Sequence, residues 1–101
     1  MNMTELTKQI EQWAMARDLH TANPDKQMLK LGEEFGELCE AMAKDRPMDK
    51  VDAIGDMFVV LTILSMQLEM SINRCVSHAY RQIEYRKGEM VNGVYVKESD
   101  L

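Results

Sequence analysis

The stretch from Met57 to Leu68 constrains the fold most, because it carries no charged residue. Together with the acidic segment before it, this stretch predicts a helix over roughly Asp49 to Met70 that is apolar on nearly every side. Such a helix must be covered all round. Since each helix of a monomeric four-helix bundle normally keeps a wet face, we expect a homodimer or larger homo-oligomer in which a second subunit covers part of this helix.

Two further helices precede this one. Thr4 caps the first, which ends near His20. Asn23-Pro24 begins the second, because Asn is a good N-cap and Pro is tolerated at the first helical position. Its apolar residues recur at alternating spacings of three and four, as in a helix packed nearly antiparallel in a bundle. They are Met28, Leu31, Phe35, Leu38 and Met42.

A fourth helix and a small hairpin complete the chain. Ser71 caps this helix, which is predicted to close with basic Arg86 and Lys87 before Gly88. Asn92-Gly93 then suits the tight turn of a β-hairpin. The prediction is therefore one all-α domain over residues 1–101, a four-helix bundle with helices within 4–87, completed by oligomerisation, and a hairpin with its tail over 88–101.

Composition excludes several classes of protein. The net charge of -5 argues against a nucleic-acid binder, which needs a basic footprint. Cys39 and Cys75 lack the spacing of a zinc site or a disulfide framework, so a reducing cytoplasm is expected. No leader opens the chain, and its longest uncharged stretch is shorter than the roughly 20 residues of a membrane helix. We expect a cytoplasmic protein with neither a nucleic-acid nor a membrane partner.

Acidic residues cluster on the second and third helices. In the second helix they lie near Lys30, at spacings that direct several toward one side: Glu33, Glu34, Glu37 and Glu40. In the third helix, Asp49, Asp52 and Asp56 share a face. If the two helices are antiparallel neighbours joined near Pro47, the acidic stripes meet and offer the oxygen ligands that Mg²⁺ or Mn²⁺ prefers.

Most acidic helix faces are merely solvated, and charge alone favours that interpretation. Against it, like charges at Glu33/Glu37 and at Asp52/Asp56 each destabilise a helix by about 0.2–0.5 kcal/mol. Three glycines inside the same helices cost roughly 1 kcal/mol each relative to Ala. They are Gly32, Gly36 and Gly55. Unfavourable residues beside a charge cluster indicate a functional site.

A di-iron centre would also use carboxylates from paired helices, but it needs Glu-x-x-His pairs. Neither His20 nor His78 has a Glu three residues before it, so no role is assigned to them. Trp13 is by default a core residue, with base stacking as the minority interpretation.

The run from Lys30 to Leu38 resembles the EExxE motif, with its upstream lysine, of the MazG-like all-α nucleoside triphosphate pyrophosphohydrolases. The segment from Trp13 through Arg17 to Gln27 resembles the part before that motif in small phage-type members. Arg86-Lys87-Gly88 and the hairpin ending at Lys97 resemble their C-terminal part. The resemblance covers nearly the whole chain.

The resemblance implies Mg²⁺-dependent cleavage, with Mn²⁺ as a substitute, of a nucleoside triphosphate to a monophosphate and pyrophosphate by paired subunits. It implies metal binding by Glu34 and Glu37, with Glu33 as a further ligand or the water-orienting base and Asp56 facing them. Catalytic Lys30 would hold phosphates. The remaining substrate-binding candidates are Trp13, Arg17, Arg81, Arg86 and Lys87.

The family's second motif, ExxD, is incomplete here, because Ala53 stands where the first acid belongs and Asp52 is the nearest metal-binding substitute. The number of metal ions, the base and sugar, and dimer versus tetramer stay open. Nucleotide-pool house-cleaning, control of dUTP or dCTP and a phage-related role are all compatible. The main alternative is a non-catalytic helical dimer whose acidic stripe binds a basic protein partner. A family member without activity is the third.

Overall fold

The computed structural model describes all 101 residues and confirms the all-α class. Four α-helices are followed by one antiparallel hairpin and flanked by short 3₁₀ turns at Leu19–Thr21 and Glu98–Asp100. The helices are α1 (Met3–Met15), α2 (Pro24–Ala43), α3 (Pro47–Gln67) and α4 (Ile72–Ile83). The strands are β1 (Gly88–Val91) and β2 (Val94–Lys97), paired in register from Gly88 with Lys97 to Val91 with Val94.

Two of the predicted caps are present. The Asn23 side chain accepts a hydrogen bond from the Asp25 amide at 2.8 Å, and Ser71 Oγ accepts one from the Arg74 amide at 3.2 Å. The first helix begins earlier than predicted, because Asn2 and not Thr4 caps it by accepting from the Glu5 amide at 2.9 Å. These side chains satisfy amides that have no partner within the helix.

Three helices end earlier than predicted, among them α3, which stops at Gln67 rather than near Met70. Helix α1 stops at Met15 rather than near His20, since Asp18 takes a left-handed conformation with φ of 56°. Helix α4 stops at Ile83, so Arg86 and Lys87 lie beyond it. The hairpin and the 3₁₀ turn after it bind their carbonyls: Tyr95 Oη donates to that of Arg86 at 3.4 Å, and the Glu98 amide to that of Lys87 at 2.7 Å.

Helices α2 and α3 are antiparallel neighbours that form the main packing unit. They are joined by a turn in which Asp45 has a left-handed φ of 48°. Gln27, near the start of α2, donates through Nε2 to the carbonyl of Val60 at 3.2 Å. Small Ala41 and Ala53 are buried on these two helices. The two acidic stripes therefore lie on neighbouring antiparallel helices, as their predicted meeting requires.

The single chain buries few of its residues. Only 11 of 101 residues are buried, and the radius of gyration is 16.2 Å, whereas a compact chain of this length has about 13 Å. Helix α1 packs on α3, but α4 is bent by 105° from α3. Val51 and Ile54 on α3 are about 60% exposed. Apolar surface thus stays uncovered on the helix for which a covering subunit was predicted, and the oligomeric state remains a prediction.

No single helix is both long enough and apolar enough to cross a membrane. The bent pair α3 and α4 meets these criteria of length and composition only when the two helices are taken together.

Candidate metal centre

Three carboxylates meet between α2 and α3. Glu34 and Glu37 lie one turn apart on α2, and Asp56 faces them from α3. One carboxylate oxygen from each lies within 4.8 Å of the others. We call these three residues the carboxylate triad. All three are among the metal ligands predicted from the sequence.

Glu34 gives the triad its strongest chemical signal. The residue is only 5% exposed, and its Oε2 atom is buried without a hydrogen-bond partner. Its Oε1 atom lies 3.4 Å from Lys30 Nζ. A buried polar atom left without a partner costs about 1–3 kcal/mol, so an unpartnered oxygen in a carboxylate cluster fits a bound cation. The all-oxygen donor set suits Mg²⁺ or Mn²⁺.

The carboxylates of the triad repel one another when they are ionised. The pKa of Glu37 is raised above its ordinary value, mainly because its protonated form can donate to the neighbouring Glu34 carboxylate and because the charge of Glu34 repels its ionised form. Asp56 adds to the repulsion, and Lys30 opposes it. In turn, the hydrogen bond and charge of Glu34 raise the pKa of Lys30. A divalent cation would relieve this repulsion, because opposite charge favours ionised carboxylates.

Two other predicted ligands lie outside the triad. The side chain of Glu33 is 67% exposed and forms an ion pair with Lys30 at 3.6 Å. Asp52 lines a cavity of about 300 Å³ next to the triad, with Glu37, Glu40, Arg46, Asp49, Ala53 and Asp56. Ala53, at 3% exposed, occupies a packed position on this wall, so the acid missing from the family motif would have faced the cavity.

The basic residues near the C-terminus do not reach this cavity within the chain. Arg81, Arg86 and Lys87 line a different cavity of about 590 Å³, together with Lys97 and four further residues. The bend of 105° between α3 and α4 accounts for the separation. The structure therefore does not bring these three predicted phosphate-binding residues to the triad of their own chain.

Trp13 and Arg17 form a pair on α1 and the residues after it. The Arg17 guanidinium lies 4.2 Å from the centroid of the Trp13 ring and donates through Nη1 to the Trp13 carbonyl at 3.0 Å. Trp13 is 47% exposed and lines an apolar groove of about 570 Å³ with Leu6, Ile10 and Val59 among its neighbours. It is therefore no core residue in the single chain, and one face of its ring is covered by Arg17.

Arg46 was not among the site residues predicted from the sequence. This residue precedes α3 and lines the same cavity as two triad members, Glu37 and Asp56. The only sequence signal was its place in the turn before Pro47, which by itself indicates no direction for its side chain.

The fold and the triad define an all-α protein with a candidate centre for a divalent metal. The family model described as phosphoribosyl-ATP pyrophosphohydrolase matches residues 3–83. The chain belongs to this family, which is part of the MazG-like all-α nucleoside triphosphate pyrophosphohydrolase superfamily. The resemblance found in the sequence is thus confirmed at the level of the superfamily.

A curated relative from Haemophilus phage HP1 (strain HP1c1) is called an uncharacterized 18.2 kDa protein in the rep-hol intergenic region. It is 51% identical over 67 residues, which cover 65% of this chain and 41% of the relative. The chain thus spans about two fifths of that relative's length. No solved structure matched the chain.

Proposed function

We propose that the protein is a divalent-metal-dependent pyrophosphohydrolase that cleaves a nucleoside triphosphate between the α and β phosphates, releasing a monophosphate and pyrophosphate. The unpartnered, buried Oε2 of Glu34 inside the triad carries the proposal. The family supports it, since its members are pyrophosphohydrolases. A house-cleaning role and a phage-related role are both compatible with the phage relative.

Glu34, Glu37 and Asp56 would hold the metal. When bound, Mg²⁺ or Mn²⁺ supplies neutralisation of the phosphate charge and a lowered pKa for a water molecule. Lys30 forms an ion pair with the Glu34 carboxylate, and its ammonium group would contact a phosphate of the bound nucleotide. Glu33, which is exposed and ion-paired with Lys30, would accept the proton from the attacking water or orient that water. Asp52 contributes a further oxygen from the cavity wall.

We further propose that the working unit is a homo-oligomer, at least a dimer. The uncovered apolar surface of α3 supports this, as does the small number of buried residues. Since Arg81, Arg86 and Lys87 lie away from the triad of their own chain, we propose that they reach the triad of a partner subunit. There they would stabilise negative charge on the leaving pyrophosphate.

The test is pyrophosphate release from canonical and modified NTPs and dNTPs, with Mg²⁺ or Mn²⁺. Phosphoribosyl-ATP belongs in the panel as the second candidate substrate, since the matching family is named for it. We expect metal-dependent release from at least one nucleotide and its loss in Glu37→Ala. If no substrate turns over with either metal, the proposal fails, and a non-catalytic dimer that binds a basic partner becomes the better account.

A further inference from the structure

The cavity beside the triad is lined by acids and by a single cation. Of its seven lining residues, five are acidic: Glu37, Glu40, Asp49, Asp52 and Asp56. Arg46 is the cation, and it immediately precedes α3 at the turn end of the cavity. From Glu37 to the end of α2 at Ala43 the helix rises about 9 Å, so Arg46 lies beyond the triad along the helix axis.

Arg46 is the cation near the triad that is least engaged. Its nearest ion-pair contact is Nη1 to Asp49 Oδ2 at 3.8 Å, between two half-exposed side chains, where such pairs contribute little. Lys30 pairs with both Glu33 and Glu34. Lys44, the nearby lysine of the turn, pairs with Glu40 and lowers the pKa of that carboxyl.

Arg46 is also the residue that precedes the first turn of α3. Arg46 forms no side-chain capping hydrogen bond, so the first-turn amides of α3 have no cap from it. A guanidinium is planar and rigid, and it matches the oxygens of phosphate groups with two parallel hydrogen bonds. The turn end of the cavity therefore holds its single positively charged side chain, which suits the far end of a phosphate chain that starts at the triad.

We propose that Arg46 binds the terminal phosphates of the nucleotide, and hence the pyrophosphate released. The inference rests on the proposed function and deepens it. It gives the substrate a direction: the phosphate to be attacked lies at the triad, and the phosphate chain runs along the cavity toward the α2–α3 turn.

Calorimetric binding of inorganic pyrophosphate at fixed free Mg²⁺ tests this. We expect Arg46→Ala to weaken binding about tenfold or more. Arg46→Lys should retain part of the affinity, because a lysine keeps the charge but cannot donate the two parallel hydrogen bonds of a guanidinium. Lys44→Ala is the matched control from the same turn, and its affinity should stay within about twofold of wild type. The rise in melting temperature with Mn²⁺ should be unchanged in Arg46→Ala, since the triad is intact.

An unchanged pyrophosphate affinity in Arg46→Ala would overturn the inference, and so would an equal loss in Lys44→Ala. Nucleotide turnover separates the two proposals. If wild type releases pyrophosphate while Arg46→Ala binds it normally, only the role of Arg46 is lost. If wild type neither releases nor binds pyrophosphate with Mg²⁺, both the proposed function and this inference fall.

Discussion

The buried carboxylate of Glu34 lies one helical turn before the exposed carboxylate of Glu37, and it raises the pKa of Glu37 by hydrogen bonding and by charge. In the folded chain Glu37 therefore binds its proton more tightly than in the unfolded chain. Its contribution to stability is fully present at low pH and is lost as the pH rises through the raised pKa. The metal-free protein thus carries built-in repulsion at neutral pH.

Glu37→Gln should remove this repulsion. In EDTA at neutral pH we expect the variant to melt at a higher temperature than wild type, and the difference should shrink as the pH falls through the raised pKa of Glu37 and vanish below the ordinary value of about 4.5. With Mn²⁺ the order should reverse, because only wild type gains stability by binding metal. Thermal unfolding across pH, with and without metal, measures both effects. Identical melting curves for the two proteins in EDTA at neutral pH would contradict the account of Glu37.

Glu33 and Glu37 should differ in what they contribute. Glu33 is exposed and outside the triad, so Glu33→Ala should leave the Mn²⁺-induced thermal shift intact. If Glu33 handles the proton of the attacking water, its loss should lower kcat by about 10²–10⁴-fold. Glu37→Ala should lose both the thermal shift and turnover. If metal binding is instead lost in Glu33→Ala and kept in Glu37→Ala, then Glu33 and not Glu37 binds the metal.

Ala53 marks where an acid is missing, and its replacement by Glu adds a carboxylate to the wall of the acidic cavity. The position is buried and like-charged neighbours surround it, so Ala53→Glu should lower the melting temperature in EDTA. We expect the added ligand to tighten Mn²⁺ binding by about tenfold, or ~1.4 kcal/mol. Ala53→Gln, which adds similar volume without charge, is the control. Equal Mn²⁺ affinities for the two variants would show that position 53 does not face the metal.

Much of this fold is predictable from local sequence. Asn23 and Ser71 begin helices where their side chains accept amide hydrogen bonds. Asn92 and Gly93, with φ of 51° and 81°, make the hairpin turn that this dipeptide favours. The end of α4 was not predictable, because the carbonyls beyond it accept hydrogen bonds from the hairpin and from the 3₁₀ turn after it, which are separate elements.

Some residues of the site, too, could be placed from the sequence, and others could not. Glu34, Glu37 and Asp56 follow from helical spacing and an antiparallel pair, so their meeting could be predicted. The placement of Arg81 depends on the bend of 105° between α3 and α4, which no local pattern specifies. That of Arg46 depends on the direction of a turn. Helical periodicity says nothing about either, since it describes only residues on one helix.

Mixing two inactive variants tests whether partner subunits share a site. One variant carries Glu37→Ala; in the other, alanine replaces Arg81, Arg86 and Lys87. Refolded together in equal amounts, they should regain about a quarter of the wild-type rate, since half of the dimers are mixed and each holds one complete site. Each variant refolded alone is the control. If the mixture is no more active than the two variants refolded alone, these basic residues do not complete the triad of a partner subunit.

Counting bound Mn²⁺ by electron paramagnetic resonance shows whether the carboxylate triad is a metal centre, because the signal of free Mn²⁺ reports binding without any assumption about substrate. We expect at least one Mn²⁺ per wild-type chain at neutral pH and the loss of that ion in Glu37→Ala, with Glu33→Ala unchanged. If wild type binds no Mn²⁺, or if Glu37→Ala binds it as tightly as wild type, the carboxylate triad is not a metal centre.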